Sequence, residues 1–239
     1  MEGPTRRSCQ HLSESKKAHA PREFPHSQWH GCAGSCAAQQ SNMPELPEVE
    51  CVRRSLERGI VRGFVEDAHI LRRDVCEAHD ASGRVIRVHA EHFLLGTRVL
   101  RVDRHGKQLA IVAENGRTLC IHLGMTGQVL ITQMGETKPA DHVHARWTIR
   151  ANGSAHATHM FFRDPRRFGR VRWGEGKGEP EWWASLPPSL LAPSFDRRRL
   201  DAILDRRGQS PIKAVLLQQD SFPGVGNWMA DEILWRAAI

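Results

Sequence analysis

The 239-residue sequence contains no Cys-x-x-Cys pair, no long apolar run and no basic-then-apolar segment at its start. Without a close pair, its six cysteines indicate neither a disulfide framework nor a zinc site of ordinary spacing, and we expect reduced thiols. These cysteines are Cys9, Cys32, Cys36, Cys51, Cys76 and Cys120. Because the apolar run and the leader pattern are missing, we expect neither a transmembrane helix nor a secretory signal. The sequence therefore predicts a cytoplasmic protein that does not contact a membrane.

The charge balance is basic. The chain has 34 Lys and Arg residues against 27 Asp and Glu residues, which gives a net charge of +7 and a pI of about 9.5. An excess of cations favours a polyanionic partner, although many soluble proteins share such a pI. The length allows one large domain or two modest ones, each with its own core.

Residues 1–42 carry Ser, His, Gln, Pro and charged residues without periodicity. We expect this segment to be disordered, or to lie upstream of the true start of the protein. Cys32, Cys36 and the four histidines of the segment suggest a metal site only weakly, because a closed zinc site needs four well-spaced ligands. We therefore assign no metal ligand and no cofactor to this chain.

Residues 43–175 combine one helical pattern with many strand-like runs. Pro47 and Glu48 suit a first helical turn, and apolar residues follow at helical spacing up to a stop expected at Gly59. Strand-like runs continue to about residue 175, and Glu114-Asn115-Gly116 is a strong hairpin turn. Examples are residues 83–88, 97–102, 108–112, 118–123 and 127–131. Short strands at this spacing predict an antiparallel sandwich.

The last part of the chain returns to helical spacing. Residues 176–193, rich in Gly, Pro and Trp, predict a linker. Beyond it, Ser210 and Pro211 are typical of a helix cap and first helical position, and another helix opens after Pro223-Gly224-Val225-Gly226-Asn227. The predicted class is α+β, with an N-terminal helix and sandwich over residues 43–175 and a helical domain over residues 194–239.

The opening of the first helix, Met43-Pro44-Glu45-Leu46-Pro47-Glu48-Val49-Glu50, closely resembles the N-terminus of the formamidopyrimidine-DNA glycosylase family of repair enzymes. Its spacing alone indicates only an acidic helix that starts with proline. The resemblance implies that the initiator Met is removed and that the amine of Pro44 attacks the sugar C1′ of a damaged nucleotide. It implies that Glu45 donates a proton and that Glu48 supports the local hydrogen bonding. A free secondary amine can form an iminium with a ring-opened sugar.

Two further segments match the same family. Arg104-His105-Gly106-Lys107 would on its own carry a solvated surface lysine, but the resemblance implies that Lys107 approaches the phosphate of the lesion. His122-Leu123-Gly124-Met125-Thr126-Gly127 would ordinarily place its methionine in a core. By resemblance, Met125 is a wedge that fills the duplex where the damaged base is extruded, and His122 contacts a nearby phosphate.

The turn Arg163-Asp164-Pro165-Arg166-Arg167-Phe168-Gly169 is the second most specific match. Without the family it is a basic turn with one apolar residue. The resemblance implies that Arg166 contacts the estranged opposite base, Phe168 stacks into the duplex and Arg167 holds backbone phosphate.

The glycine-containing turn before the last helix matches the helix-two-turn-helix of the family, with Lys213 and Asn227 as expected contacts to the DNA backbone. Two glycines allow close backbone approach, and free N–H groups at a helix start attract phosphate. A plain turn between helices remains an alternative at this point. The matches span residues 43–239 in the order of the family, and they resemble the formamidopyrimidine branch more than the endonuclease VIII branch.

The sequence departs from the family at both ends. Pro44 follows 43 residues, and a proline nitrogen inside a peptide bond is an amide without nucleophilic character. We expect translation to begin at Met43, or residues 1–43 to be removed. The family zinc finger has no counterpart before Ile239, and we expect zinc only if such a finger lies beyond this residue.

The leading hypothesis is a bifunctional glycosylase and lyase that removes oxidised purines, 8-oxoguanine and formamidopyrimidines, from double-stranded DNA. We expect it to act as a monomer in a bacterial cytoplasm. One alternative is a non-catalytic binder of damaged DNA. Another, a helix-hairpin-helix glycosylase suggested by Pro223-Gly224-Val225-Gly226, predicts an all-α fold, and the many strand-like runs argue against it.

Overall fold

The first helix, α1 (Leu46–Ile60), begins at the predicted first helical turn but continues through Gly59, where a stop was expected. The computed structural model describes residues 44–80, 82, 84–87, 89, 93–133, 141–151, 153–174 and 180–239. Val49, Leu56 and Ile60 form the buried stripe of α1, and Gly59 faces Ile131 of the sheet. The stop predicted at Gly59 is wrong because burial of Ile60 in the core favours one more helical residue.

Ten strands within the described residues form two sheets packed face to face, so the predicted α+β class with a sandwich is confirmed. One sheet has four strands in the order β1-β8-β9-β7, and the other has six in the order β3-β2-β10-β6-β5-β4. Neighbouring strands are antiparallel except β2 and β10, which pair in parallel. The strands are β1 (Phe64–Ile70), β2 (Cys76–His79), β3 (Val85–Ile86), β4 (Val99–His105), β5 (Gln108–Ala113), β6 (Thr118–His122), β7 (Gln128–Gln133), β8 (Val143–Arg150), β9 (Ala157–Arg163) and β10 (Arg170–Gly174).

The core lies between the two sheets, and α1 packs on β4, β5 and β7. Alternate residues of the strands point into it, as the two-residue period requires. Among the largest fully buried side chains are Trp147, Trp173, Phe93 and Phe162. The indole N–H of Trp147 donates to the Phe93 carbonyl at 3.0 Å, so that this buried polar group is satisfied.

The described part of the predicted linker contains a short helix, α2 (Glu181–Ala184). Trp183 of this helix packs on Ala110 and Cys120, which lie on the outer face of the six-stranded sheet. This stretch therefore covers part of the sheet instead of only connecting two regions.

The chain closes, from residue 197 onward, with the helices α3 (Arg197–Arg206), α4 (Ile212–Leu216) and α5 (Asn227–Ala237). The Asp196 side chain caps α3 by accepting from the Arg199 N–H. The cap of α4 is Pro211, one residue after the predicted Ser210, because the extended backbone of Pro211 precedes the first helical residue. A separate apolar cluster holds these helices together through Ile203, Val215, Leu216, Phe222, Val225 and Ala230.

Among the residues that the structure describes, every helix is too short or too polar to cross a lipid bilayer. The predictions for residues 1–42, including those for Cys32 and Cys36, lie outside the described residues.

Candidate functional site

A cavity of about 380 Å³ lies where the start of α1, the edge of the six-stranded sheet and the start of α5 meet. Pro44, Lys107, His122, Met125, Phe168 and Asn227, all predicted as site residues, line it. These residues are up to 183 positions apart in the sequence, counted from Pro44 to Asn227. The fold therefore gathers residues from each of the sequence segments singled out above.

Glu45, the residue after Pro44, is only 7% exposed and does not itself line the cavity. Its Oε1 is 3.5 Å from the Trp228 N–H in the first turn of α5, and its Oε2 has no partner among the described residues. The Glu48 carboxylate accepts from the Glu45 N–H at 3.1 Å, the hydrogen bond expected of a capping residue three positions into a helix. Glu48 thereby fixes the backbone next to Pro44.

Lys107 lies in the turn between β4 and β5 and is half-buried at the cavity. Burial lowers the pKa of its ammonium, and the nearby carboxylates of Glu45 and Glu48 partly oppose that effect. Burial likewise lowers the pKa of His122, and Arg172, Lys107 and Arg170 lower it further. Lys107 therefore supplies a positive charge at the cavity, which favours an anionic ligand.

Met125 and Phe168 stand at the tips of two loops that pack on each other beside the cavity. A Cβ at Gly124 would lie 2.6 Å from the Gly169 nitrogen and from the Phe168 carbonyl carbon, and Gly124 has φ of +63°. Only glycine fits both constraints, the contact and the left-handed backbone. Met125 is 38% exposed and Phe168 is 49% exposed, so two large apolar side chains project together into solvent.

Asp164, which the sequence analysis quoted without a role, anchors the second loop. It is fully buried, and its carboxylate accepts from the Thr126 hydroxyl, from the Arg166 N–H at 3.2 Å and from the Gly169 N–H at 2.7 Å. An aspartate at the start of a turn often accepts from backbone N–H groups two or more residues later, and that signal could have identified it. Asp164 thus ties the two exposed loops together.

The predicted cations differ in their surroundings. The Arg166 guanidinium lies 4.8 Å from the Phe168 ring centroid, a cation–π arrangement on the exposed face of the loop. Arg167 pairs with Asp74 at 3.1 Å, and its backbone has φ of +59°. Lys213 does not line the cavity, and its ammonium pairs with Asp231 at 2.6 Å. Two of the expected phosphate contacts are therefore paired with carboxylates in this structure.

Gln219 is a cavity residue that the sequence analysis missed. Its side-chain N–H groups donate to the carbonyls of Leu217 and Val225, and its Oε1 accepts from the Gly224 N–H at 3.1 Å. Three bonds from one side chain hold the turn that precedes Asn227. No local sequence pattern marks such a role, because a glutamine in a polar turn is usually solvated.

Within the described part of the chain, no group of three or more His, Cys, Asp or Glu side chains could hold a metal ion. The described residues therefore do not fit a structural zinc ion, which needs four ligands. The expectation that zinc belongs to a segment beyond residue 239 stays a prediction.

Comparison with known proteins identifies the family to which the chain belongs. Residues 43–171 match the model of the formamidopyrimidine-DNA glycosylase N-terminal domain. The chain belongs to this family. The formamidopyrimidine-DNA glycosylase of Streptomyces avermitilis is 38% identical over 200 residues, which cover 82% of this chain and 67% of that protein.

Solved structures of the family have the same fold. The MutM (Fpg) protein of Thermus thermophilus matches with a TM-score of 0.62 and 31% identity, over 82% of this chain and 65% of that one. A MutM complex with DNA containing carbocyclic 8-oxo-G matches with a TM-score of 0.64 and 25% identity, over 82% and 70% of the two chains. The chain thus spans about two thirds of the length of these relatives.

Proposed function

We propose that this chain is a base-excision repair glycosylase that removes oxidised purines from double-stranded DNA and then cleaves the strand as an AP lyase. The observation that carries the proposal is that Pro44 and Lys107 line one cavity, while Glu45, the residue next to Pro44, is buried. Family membership, the glycosylase names of the relatives and the structure of a relative with 8-oxo-G-containing DNA support the glycosylase part of this proposal.

In the proposed mechanism, the amine of Pro44 attacks C1′ of the damaged nucleotide, and the bond from C1′ to the base breaks as the base takes up a proton. Opening of the sugar ring leaves an iminium between Pro44 and C1′. The iminium acidifies the C2′ proton, and loss of that proton expels the 3′ phosphate by elimination. In this proposal Glu45 shuttles these protons, a role that typically contributes about 10²- to 10⁴-fold in rate.

The reaction requires an unacylated nitrogen on Pro44. In the peptide bond to Met43 this nitrogen is an amide, which cannot attack a carbon. We propose that the active species begins at Pro44. The peptide bond between Met43 and Pro44 in the 239-residue chain also favours a second candidate function, a binder of damaged DNA that does not react with it.

The remaining site residues bind and distort the duplex in this proposal. Met125 and Phe168 enter the stack where the lesion has left it, which offsets part of the few kcal/mol that base extrusion costs. Arg166 reads the opposite base, while Lys107, His122, Arg167, Lys213 and Asn227 hold phosphates. Phosphate contacts position the strand, and a base contact supplies selectivity.

Borohydride trapping on a duplex with one 8-oxoguanine tests the function. We expect a covalent adduct with a chain that begins at Pro44, and none with a chain that begins at Met1 or with an N-acetylated Pro44 chain. Pro47→Ala is a matched control, because this second proline lies exposed in the first turn of α1 and has no amine to offer. An adduct on the acetylated chain would contradict the assigned nucleophile, and binding without any adduct would favour the non-catalytic candidate.

We further propose that the protein acts as a monomer in a bacterial cytoplasm. Sedimentation of the protein with and without a lesion duplex tests the first part. A complex that contains two protein chains for each duplex would contradict the monomer.

A further inference from the structure

A second cavity, of about 260 Å³, opens on the outer face of the six-stranded sheet. Its lining consists of Gln108, Cys120, His122, Arg170 and Arg172, and we call it the sheet-face cavity. His122 also lines the cavity at Pro44, so the two cavities share one imidazole. Of its lining residues, only His122 has a role in the proposed function.

Strand register explains why these side chains meet. Gln108 of β5 pairs with His122 of β6, and His122 pairs with Arg170 of β10, so the three stand in one row across the sheet. In the next row outward on the same face, Cys120 pairs with Arg172. The residues between them along each strand point into the core. The first row is therefore polar throughout and starts beside Lys107. Arg172 extends this polar surface into the second row, where Ala110 and Cys120 are buried against Trp183.

The groups of the sheet-face cavity are chiefly donors and cations. Arg172 pairs with Glu77 at 3.2 Å, and Arg170 lies 3.9 Å from the same carboxylate, so one negative charge faces two positive ones. Burial raises the pKa of the Cys120 thiol to about 12, which keeps it neutral at physiological pH. The thiol lies 3.5 Å from Gln108 Oε1, an arrangement that leaves the amide N–H groups available for a ligand. An anion with several acceptor oxygens suits this set.

Arg170 connects this surface to the loop that carries Phe168. Its guanidinium donates to the carbonyls of Arg167 at 2.9 Å and Gly169 at 2.8 Å. A ligand held by Arg170 would therefore also restrain the base of the loop that carries Phe168. The sheet-face cavity shares His122 with the cavity at Pro44, and Arg170 links it to that loop.

We propose that the sheet-face cavity binds a backbone phosphate of the lesion-containing strand, next to the phosphate at Lys107. Arg172 and Arg170 supply the charge, and Gln108 and His122 supply neutral donors. This proposal rests on the proposed function only for the identity of the strand. A phosphate held here extends the grip on the backbone past the lesion and fixes the loop that bears Arg166 and Phe168.

Salt-dependent binding of the full chain to a short undamaged duplex tests the charge. Each phosphate contact contributes about 0.9 to the slope of log K against log salt concentration. We expect Arg172→Gln to reduce the slope by about that amount and Arg172→Lys to preserve it. Arg150→Gln is the matched control, because Arg150 is also a strand arginine paired with a glutamate, Glu66, but lies in the four-stranded sheet.

An unchanged slope in Arg172→Gln, or an equal loss in Arg150→Gln, would overturn the proposal. Should Arg172→Gln fail to fold, Glu77→Gln provides an independent test, since removal of the competing carboxylate should tighten binding and steepen the slope. Loosened or unchanged binding by Glu77→Gln would contradict the assignment.

A methylphosphonate scan of the lesion strand locates the phosphate. One neutral linkage should weaken binding by the wild type more than binding by Arg172→Gln, in which Arg170 still faces that phosphate; a scan in which the two proteins respond alike at every linkage overturns the site. These measurements need no reaction at Pro44. Loss of borohydride trapping with an intact Arg172 effect would therefore refute the proposed chemistry alone, and trapping without the Arg172 effect would refute the phosphate site alone.

Discussion

Replacement of Gly226 by alanine should separate folding from catalysis. The backbone there is extended, with φ of −115°, so that alanine is conformationally allowed and the effect is steric. A Cβ would lie 2.6 Å from Glu45 Cγ and would overlap the carboxyl group more severely. The Glu45 carboxyl must therefore leave its buried position.

Gly226→Ala should affect the stability of the fold and the rate of base release to different extents. Overpacking of this kind costs about 1–3 kcal/mol of stability, which a domain of ordinary stability survives. Misplacement of the proton-shuttling group removes its contribution of about 10²- to 10⁴-fold, which is about 3–5 kcal/mol in the barrier. We expect Gly226→Ala to remain folded, to bind a lesion duplex, and to lose at least about a hundredfold in base release.

Single-turnover base release from an 8-oxoguanine duplex measures the effect, with thermal unfolding as the check on stability. Both variants are made in the chain that begins at Pro44. Gly208→Ala is the matched control, because the nearest atom to its Cβ is 3.6 Å away and no contact is disturbed. Base release by Gly226→Ala within about threefold of wild type would refute the role of the Glu45 position, since a hundredfold loss is the lower end of the expected range.

Three further predictions concern the ion pairs and the exposed loop. Asp74→Asn should free Arg167 and steepen the salt dependence of duplex binding by up to about 0.9, measured by fluorescence anisotropy; a shallower slope would contradict a contact of Arg167 with phosphate. Partial burial raises the pKa of Glu50, but hydrogen bonds from three arginines outweigh that effect and lower the pKa from 4.5 to about 2. Glu50 therefore stabilises the fold above pH 4.5 and loses this effect as the pH falls towards 2. Glu50→Gln should reduce the free energy of unfolding by about 1–2 kcal/mol at pH 7. In thermal unfolding, the difference between wild type and Glu50→Gln should disappear as the pH falls towards 2. Phe168→Ala should change the free energy of unfolding by less than about 0.5 kcal/mol, because the side chain is half-exposed. The variant should nevertheless extrude the lesion more slowly in a 2-aminopurine fluorescence assay. Equal extrusion rates in variant and wild type would contradict stacking of Phe168 into the duplex.

The sequence predicted those elements whose signals are local. The turn at Glu114-Asn115-Gly116 joins β5 to β6 as predicted, with Gly116 at φ of +84°, and the helix that opens at Asn227 is also confirmed. Local patterns failed at Gly59 because a tertiary contact, burial of Ile60, decided where the helix ended. Pairing of β2 with β10 was equally inaccessible, since parallel register depends on long-range topology.

In the candidate site, too, local motifs identified individual residues but not the contacts between distant ones. Short motifs identified Pro44, Met125 and Phe168 through family resemblance, without indicating that they share a cavity. The pair between Arg167 and Asp74 joins residues 93 positions apart, and no periodicity in the sequence marks such a contact. Long-range ion pairs follow from the fold and become visible only with it.

The site owes its shape to close contacts between the sandwich and the helical segment. A Cβ at Gly106, before Lys107, would lie 3.2 Å from Pro223 Cβ and 3.3 Å from the Gly224 nitrogen, while Gly226 abuts Glu45. The turn before α5 is thereby fitted against both the β4–β5 turn and the start of α1. Because Lys107, Glu45 and Asn227 each come from one of these three segments, a shift of the helical segment would move Asn227 away from both Lys107 and Glu45. Substitutions that enlarge Gly106 should consequently impair duplex binding and base release together, whereas the clash at Gly226 falls on the Glu45 carboxyl alone.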